Sequence, residues 1–115
     1  MDSTTVSDFL PVNPRVFLVL LGLTEGARHG YGLKQAVEAR SGGQVSLDAG
    51  ALYRSIAKLV DDGLIEETDA PAEADRSDSR RRYYGLTQMG RAVVSAEATR
   101  LASLVDYAQR TAIIG

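Results

Sequence analysis

Three helix-patterned segments come first, then two short strand-like segments split by a charged loop, then one long helix. That order predicts a mainly α fold of winged helix-turn-helix type: three helices, a two-stranded wing and a C-terminal dimerisation helix. The length of 115 residues suits a single domain of ordinary size. Apolar residues make up 44% and charged residues 24%, the balance of a globular chain with a modest core.

Residues 1–12 read as a flexible polar tail, pinned at its apolar end by Phe9-Leu10-Pro11-Val12. From Pro14 to about Thr24, Val16, Phe17, Val19, Leu20, Leu21 and Leu23 leave almost no polar face, which marks a central core helix. Gly26 ends it, and Ala27 to Gly30 form the connection. Leu33, Ala36 and Val37 fall on one side of a second helix over Tyr31–Arg40, which Ser41-Gly42-Gly43 terminates.

Asp48 is a good N-cap for a third helix that ends at Gly63. Leu52, Ile56, Leu59 and Val60 mark its buried face, while Gly50, Arg54, Lys58 and Asp61 fall opposite. Leu64–Glu67 and Tyr83–Leu86 read as the wing strands, with Tyr84 and Leu86 facing inward together. The intervening loop is too long for a tight hairpin. Thr87 caps the last helix, which runs toward Ala112. The resulting division is a tail over 1–12, a winged-helix domain over 13–87 and a C-terminal helix over 88–115.

Composition removes several function classes. With no Cys, neither disulfides nor thiolate metal sites are available, and the single His29 makes no His-rich metal site. No cofactor or metal is expected, and a nucleophilic enzyme would rest on His29 alone. The start carries Asp2 and Asp8 and no basic stretch, unlike a secretory signal. The most apolar run, Val16–Leu23, is eight residues against the ~20 that span a bilayer, so a cytoplasmic protein without membrane contact is expected.

The formal charge is −2, from 13 basic and 15 acidic side chains, so polyanion binding would need a local patch. Two patches qualify. Arg54 and Lys58 lie one turn apart on the outward face of the third helix, with Tyr53 at its edge. An arginine there has the reach and fork for a guanine edge, and a lysine suits phosphate. The helix start from Asp48 to Gly50 offers backbone amides to a phosphate. In the wing, Arg76, Arg80, Arg81 and Arg82 sit within seven residues. The same cations also read as solvated surface, balanced by seven acids over residues 61–75. His29 suits a helix cap better than catalysis.

The last helix repeats Val94, Ala98, Leu101, Val105, Ala108 and Ala112 at intervals of 4-3-4-3-4. This heptad-like seam reads as a dimer interface, or as a face folding back on Phe17 and Leu20 of the same chain.

Five segments then fall in order at close spacing. They are Leu20-Leu21-Gly22-Leu23, His29-Gly30-Tyr31-Gly32-Leu33, Gly50-Ala51-Leu52-Tyr53, Leu59 to Ile65 and Arg82 to Arg91. Over roughly residues 15–95 the chain resembles the PadR-like family of transcriptional regulators. The resemblance implies a homodimeric winged-helix repressor of double-stranded, pseudo-palindromic operator DNA, often released by a small-molecule effector. Stacking on such an effector would fall to Phe9, Phe17 or Tyr107. Two other readings stay open: a winged-helix protein-interaction module without DNA binding, and an enzyme using His29. The motives for the interaction module are the acids at 61–75 and Ala51, which stands where the family often has a hydroxyl.

Overall fold

The computed structural model describes residues 4–71 and 82–111. Its elements run α1 (Pro14–Leu21), β1 (Arg28–His29), α2 (Gly30–Arg40), α3 (Ala49–Asp61), β2 (Ile65–Thr68), β3 (Tyr83–Leu86) and α4 (Gln88–Arg110). A 3₁₀ turn at Val6–Phe9 precedes them and packs against α4. The segment expected to be a loose tail therefore has local structure from Val6 onward. Thr5 and Asp8 close that turn, with the Asp8 carboxylate accepting the Thr5 N–H at 2.7 Å.

Each helix begins at a side-chain cap, which satisfies backbone donors that the first turn leaves open. Asn13 accepts the Arg15 N–H at 2.9 Å, with Pro14 in the first helical position where its missing N–H costs nothing. Asp48 accepts the Ala51 N–H at 2.7 Å, and Thr87 the Gly90 N–H at 3.0 Å. His29 caps α2, its Nδ1 accepting the Gly32 N–H at 3.0 Å. The first helix ends at Leu21 rather than Thr24; consecutive turns then carry the chain to Gly26.

The connection read between the first two helices contains a strand. Arg28 and His29 pair antiparallel with Tyr84 and Tyr83, and the sheet is three-stranded in the order β1-β3-β2. Two residues carry no period of their own, so only their partner makes them a strand. Arg28 holds this junction to the end of α1, its Nε donating to the Gly22 carbonyl at 2.6 Å. On the other edge of β3, Ile65 pairs with Leu86 and Thr68 with Tyr83. Tyr84 is buried and Leu86 packs against the core, as the alternation predicts.

One core holds the elements together. It is built from Val19, Leu20 and Leu23 near α1, Leu33 and Val37 of α2, Leu52, Ile56 and Leu59 of α3, and Val93 and Val94 of α4. Val60, expected on the inner face of α3, is 42% exposed. It lies about a quarter turn beyond Leu59, outside the stripe that α3 presents to the core.

The start of α4 is fastened to the end of α3. Gly63 takes a φ of +77°, which ends α3 and turns the chain into β2. The Thr87 hydroxyl donates to the Gly63 carbonyl at 2.6 Å, and the Thr87 N–H to the Leu64 carbonyl at 3.1 Å. Gly90 packs on that same carbonyl so closely that a methyl group there would collide with the Leu64 oxygen. Gly90→Ala would gain up to ~1 kcal/mol of helix propensity. A clash with a backbone carbonyl that the Thr87 N–H already holds outweighs it, so the variant is expected to be about 2 kcal/mol less stable. A urea midpoint at or above that of the parent protein would overturn this.

A buried carboxylate ties the N-terminal segment to α4. Glu97 is 1% exposed, forks to Arg100 at 2.7 and 2.8 Å, and accepts the backbone N–H of Val12. The Arg100 bond, followed by the Val12 N–H, holds the Glu97 carboxyl below its ordinary value of 4.5, against the opposing effect of burial. A depressed folded value means stability that is present above the unfolded value and lost as pH falls through the folded one. Urea midpoints of the parent and Glu97→Gln are expected to differ most at neutral pH and to converge as pH falls below the ordinary carboxyl value of 4.5. A gap independent of pH would contradict this.

Candidate nucleic-acid interface

The face of α3 turned away from the core carries Gly50, Tyr53, Arg54, Ala57, Lys58, Val60 and Asp61, all exposed. Leu52, Ile56 and Leu59 hold the opposite side in the core, so these residues have no freedom to rotate inward. Arg54 and Lys58 occupy one edge of the face, and Tyr53 the other.

Tyr53 is 53% exposed, with its ring lying over the start of α2. A Cβ on Gly30 would come within 2.6 Å of its hydroxyl oxygen, so Gly30 is the space the ring occupies. Tyr31, next along α2, is 60% exposed. A tyrosine between small residues would ordinarily be taken for half-buried packing. Its neighbours Gly30 and Gly32 offer no hydropathy pattern to say otherwise.

Arg54 extends back over the first turn. A Cβ at Gly50 would lie 3.1 Å from its Nη1 and 3.3 Å from the Asp48 Oδ1. The absence of a side chain at Gly50 thus leaves room for the guanidinium near the helix start. The Asp48 carboxylate occupies the third amide of that start and adds a negative charge there. Lys58 is engaged by Asp62 one turn on, at 2.9 Å, and that bond raises its pKa from the ordinary 10.5. Arg54 makes no ion pair among the described residues.

Arg82 is exposed immediately before β3. Arg76, Arg80 and Arg81 lie outside the described residues. At the base of the wing, His29 meets Tyr83 edge-on, with ring centroids 5.4 Å apart. Its capping nitrogen and this contact place His29 where β1, β3 and α2 meet.

The seam of α4 divides. Val94 is buried in the core of its own chain, the fold-back side of the expectation. Further along, Ala98 and Val105 are exposed, Leu101 and Ala108 are half-buried, and Ala112 lies outside the described residues. Leu104 and Tyr107, absent from the heptad reading, are 54% and 62% exposed. Leu104 sits at i+3 from Leu101, a spacing that alone would have added it to the stripe. No helix among the described residues is long and apolar enough to cross a membrane.

Beside α3 lies a groove of about 510 Å³, formed with the start of α1 and the N-terminal segment. Arg15, Arg54 and Lys58 line it together with aliphatic side chains.

Comparison with known proteins agrees with this architecture. RosR of H. salinarum is 30% identical, with 90% of each chain covered and a TM-score of 0.64. The RosR-S4 complex structure is 29% identical over 84% of this chain and 76% of that one, at a TM-score of 0.66. A PadR family transcription regulator from Clostridium difficile shares the fold, with a TM-score of 0.69 at 18% identity over 86% of this chain and 98% of the other. An uncharacterized 37.1 kDa protein in transposon TN4556 of Streptomyces fradiae is 35% identical over 92 residues, 80% of this chain. The chain spans about a quarter of that relative's length (24%). The model of the transcriptional regulator PadR-like family matches residues 19–96, more than half of the sequence. With the fold, the capped third helix and the wing base all in place, the chain belongs to the PadR-like family of transcriptional regulators.

Proposed function

We propose that this protein is a homodimeric repressor that inserts α3 into the major groove of double-stranded operator DNA. The observation that carries the reading is the outward face of α3, where Tyr53, Arg54 and Lys58 stand exposed while the opposite stripe is locked in the core. Arg54 suits a bidentate guanine contact, and Lys58 and the Tyr53 hydroxyl suit phosphate. Gly50 lets the first turn approach the backbone closely. The wing, from Arg80 and Arg81 to Arg82, supplies cations for flanking phosphates.

Two copies would pair through α4. Leu101, Leu104, Val105 and Ala108 fall on one stripe of its distal half, and the exposure of Leu104 and Val105 is unusual for a helix with no partner. A two-fold dimer then reads two half-sites about 34 Å apart, which makes a pseudo-palindromic operator the natural target. Release by a small-molecule effector fits a regulator of this family. A second reading, a protein-interaction module, is favoured by the exposed acids Asp61, Glu66, Glu67 and Asp69 near α3.

Mobility shifts on DNA from the gene's own upstream region, at two salt concentrations, separate the two readings. Specific binding should weaken as salt rises. Arg54→Ala should cost about 1–3 kcal/mol, roughly 5- to 150-fold in affinity, and Lys58→Ala should lower the salt slope by about 1. If the double variant binds like the parent, or no genomic fragment is selected, the interaction module is the better reading. Val105→Glu is expected to give a folded monomer by sedimentation, with weakened operator binding. A dimer that survives this change would place the interface elsewhere.

A further inference from the structure

The groove flanking α3 has the chemistry of a ligand site. At about 510 Å³ it is within the usual size of a small-molecule pocket. Its apolar part is aliphatic, reaching down to Val16, Leu59 and Val93, and Phe9 supplies the one aromatic ring in its lining. That favours a flexible hydrocarbon chain over a stacked planar ring system. Its charged lining is Arg15, Arg54, Lys58 and Asp62. Lys58 and Asp62 neutralise one another at 2.9 Å. Arg15 and Arg54 are exposed and make no ion pair among the described residues. Two guanidinium groups free of ion pairs among the described residues, with the Asp48 carboxylate near that of Arg54, lie beside an aliphatic slot and are complementary to a carboxylate on an alkyl chain.

We propose that this groove binds a medium-chain aliphatic carboxylate, and that its occupation withdraws Arg54 from DNA. Arg54 belongs both to the outward face of α3 and to the lining of the groove, so one guanidinium serves one anion at a time. Ligand and operator therefore weaken each other by the same factor. The coupling rests on the DNA-binding reading above, whereas the ligand site does not.

The test uses the full chain and decanoate below its micelle concentration. Calorimetric titration without DNA should show saturable binding, one ligand per chain. Decanol and decyltrimethylammonium should bind at least tenfold more weakly. Arg15→Gln, at an exposed position, should weaken decanoate at least tenfold. Ser55→Leu, which fills the slot from α3, should abolish binding. In mobility shifts decanoate should release the parent protein from DNA but not either variant. No saturable binding, equal affinity for decanol, or an unchanged Arg15→Gln would overturn the site. Decanoate binding that leaves the DNA complex intact would overturn the coupling. A protein that binds decanoate but no DNA would sink the operator reading and the coupling with it, leaving the site standing.

Discussion

The seam between the end of α3 and the start of α4 is the constraint on which the other elements depend. Thr87 bonds the carbonyls of Gly63 and Leu64 while its hydroxyl oxygen caps the helix that follows. One residue thus ends the wing, starts α4 and holds both against the end of α3. Gly90 allows this because the Leu64 carbonyl lies where its side chain would be. Backbone groups satisfied at such a junction leave little tolerance for movement, since each lost partner would strand a polar group near the core. The angle at which α3 stands against the wing is set here.

From that seam the terminal helix leaves the domain with its first half committed to the core and its second half uncovered. Val93 and Val94 pack inward, whereas Leu104, Val105 and Tyr107 face solvent. Glu97 marks the boundary between the two. A carboxylate this deeply buried is stable only when paired and hydrogen-bonded, and Arg100 and the Val12 N–H meet that need. The same contacts draw the N-terminal segment across α4, forming one wall of the groove beside α3. A buried carboxylate and a surface cavity are in this way two results of one packing arrangement.

Charge segregation reconciles an acidic chain with a polyanionic target. Acids follow α3 along β2, while Arg15 and Arg54, which make no ion pair among the described residues, line the groove beside the helix. Net charge governs long-range approach, but contact depends on the local arrangement of cations on a rigid element.

The sequence by itself determined the order of the helices and the two wing strands, three of the four helix caps read as such (Asp48, His29 and Thr87), and the inner stripe of Leu52, Ile56 and Leu59. Each is a local property: a cap acts over three residues and a hydrophobic stripe over two turns. It also singled out Tyr53, Arg54 and Lys58, because a helix with a fixed inner face has a fixed outer one. Only the tertiary structure decided what depends on partners distant in the chain. The strand at Arg28–His29 exists because β3 lies beside it, and two residues carry no period to announce it. Val60 misled because hydropathy cannot tell a wide apolar face from one packed on only part of its width. Glu97 looked like any surface acid on a long helix, and its burial follows from the N-terminal segment crossing α4. The groove could not be read at all, since Arg15 and Arg54 are 39 positions apart and line one cavity only once the fold brings the start of α1, the N-terminal segment and α3 together.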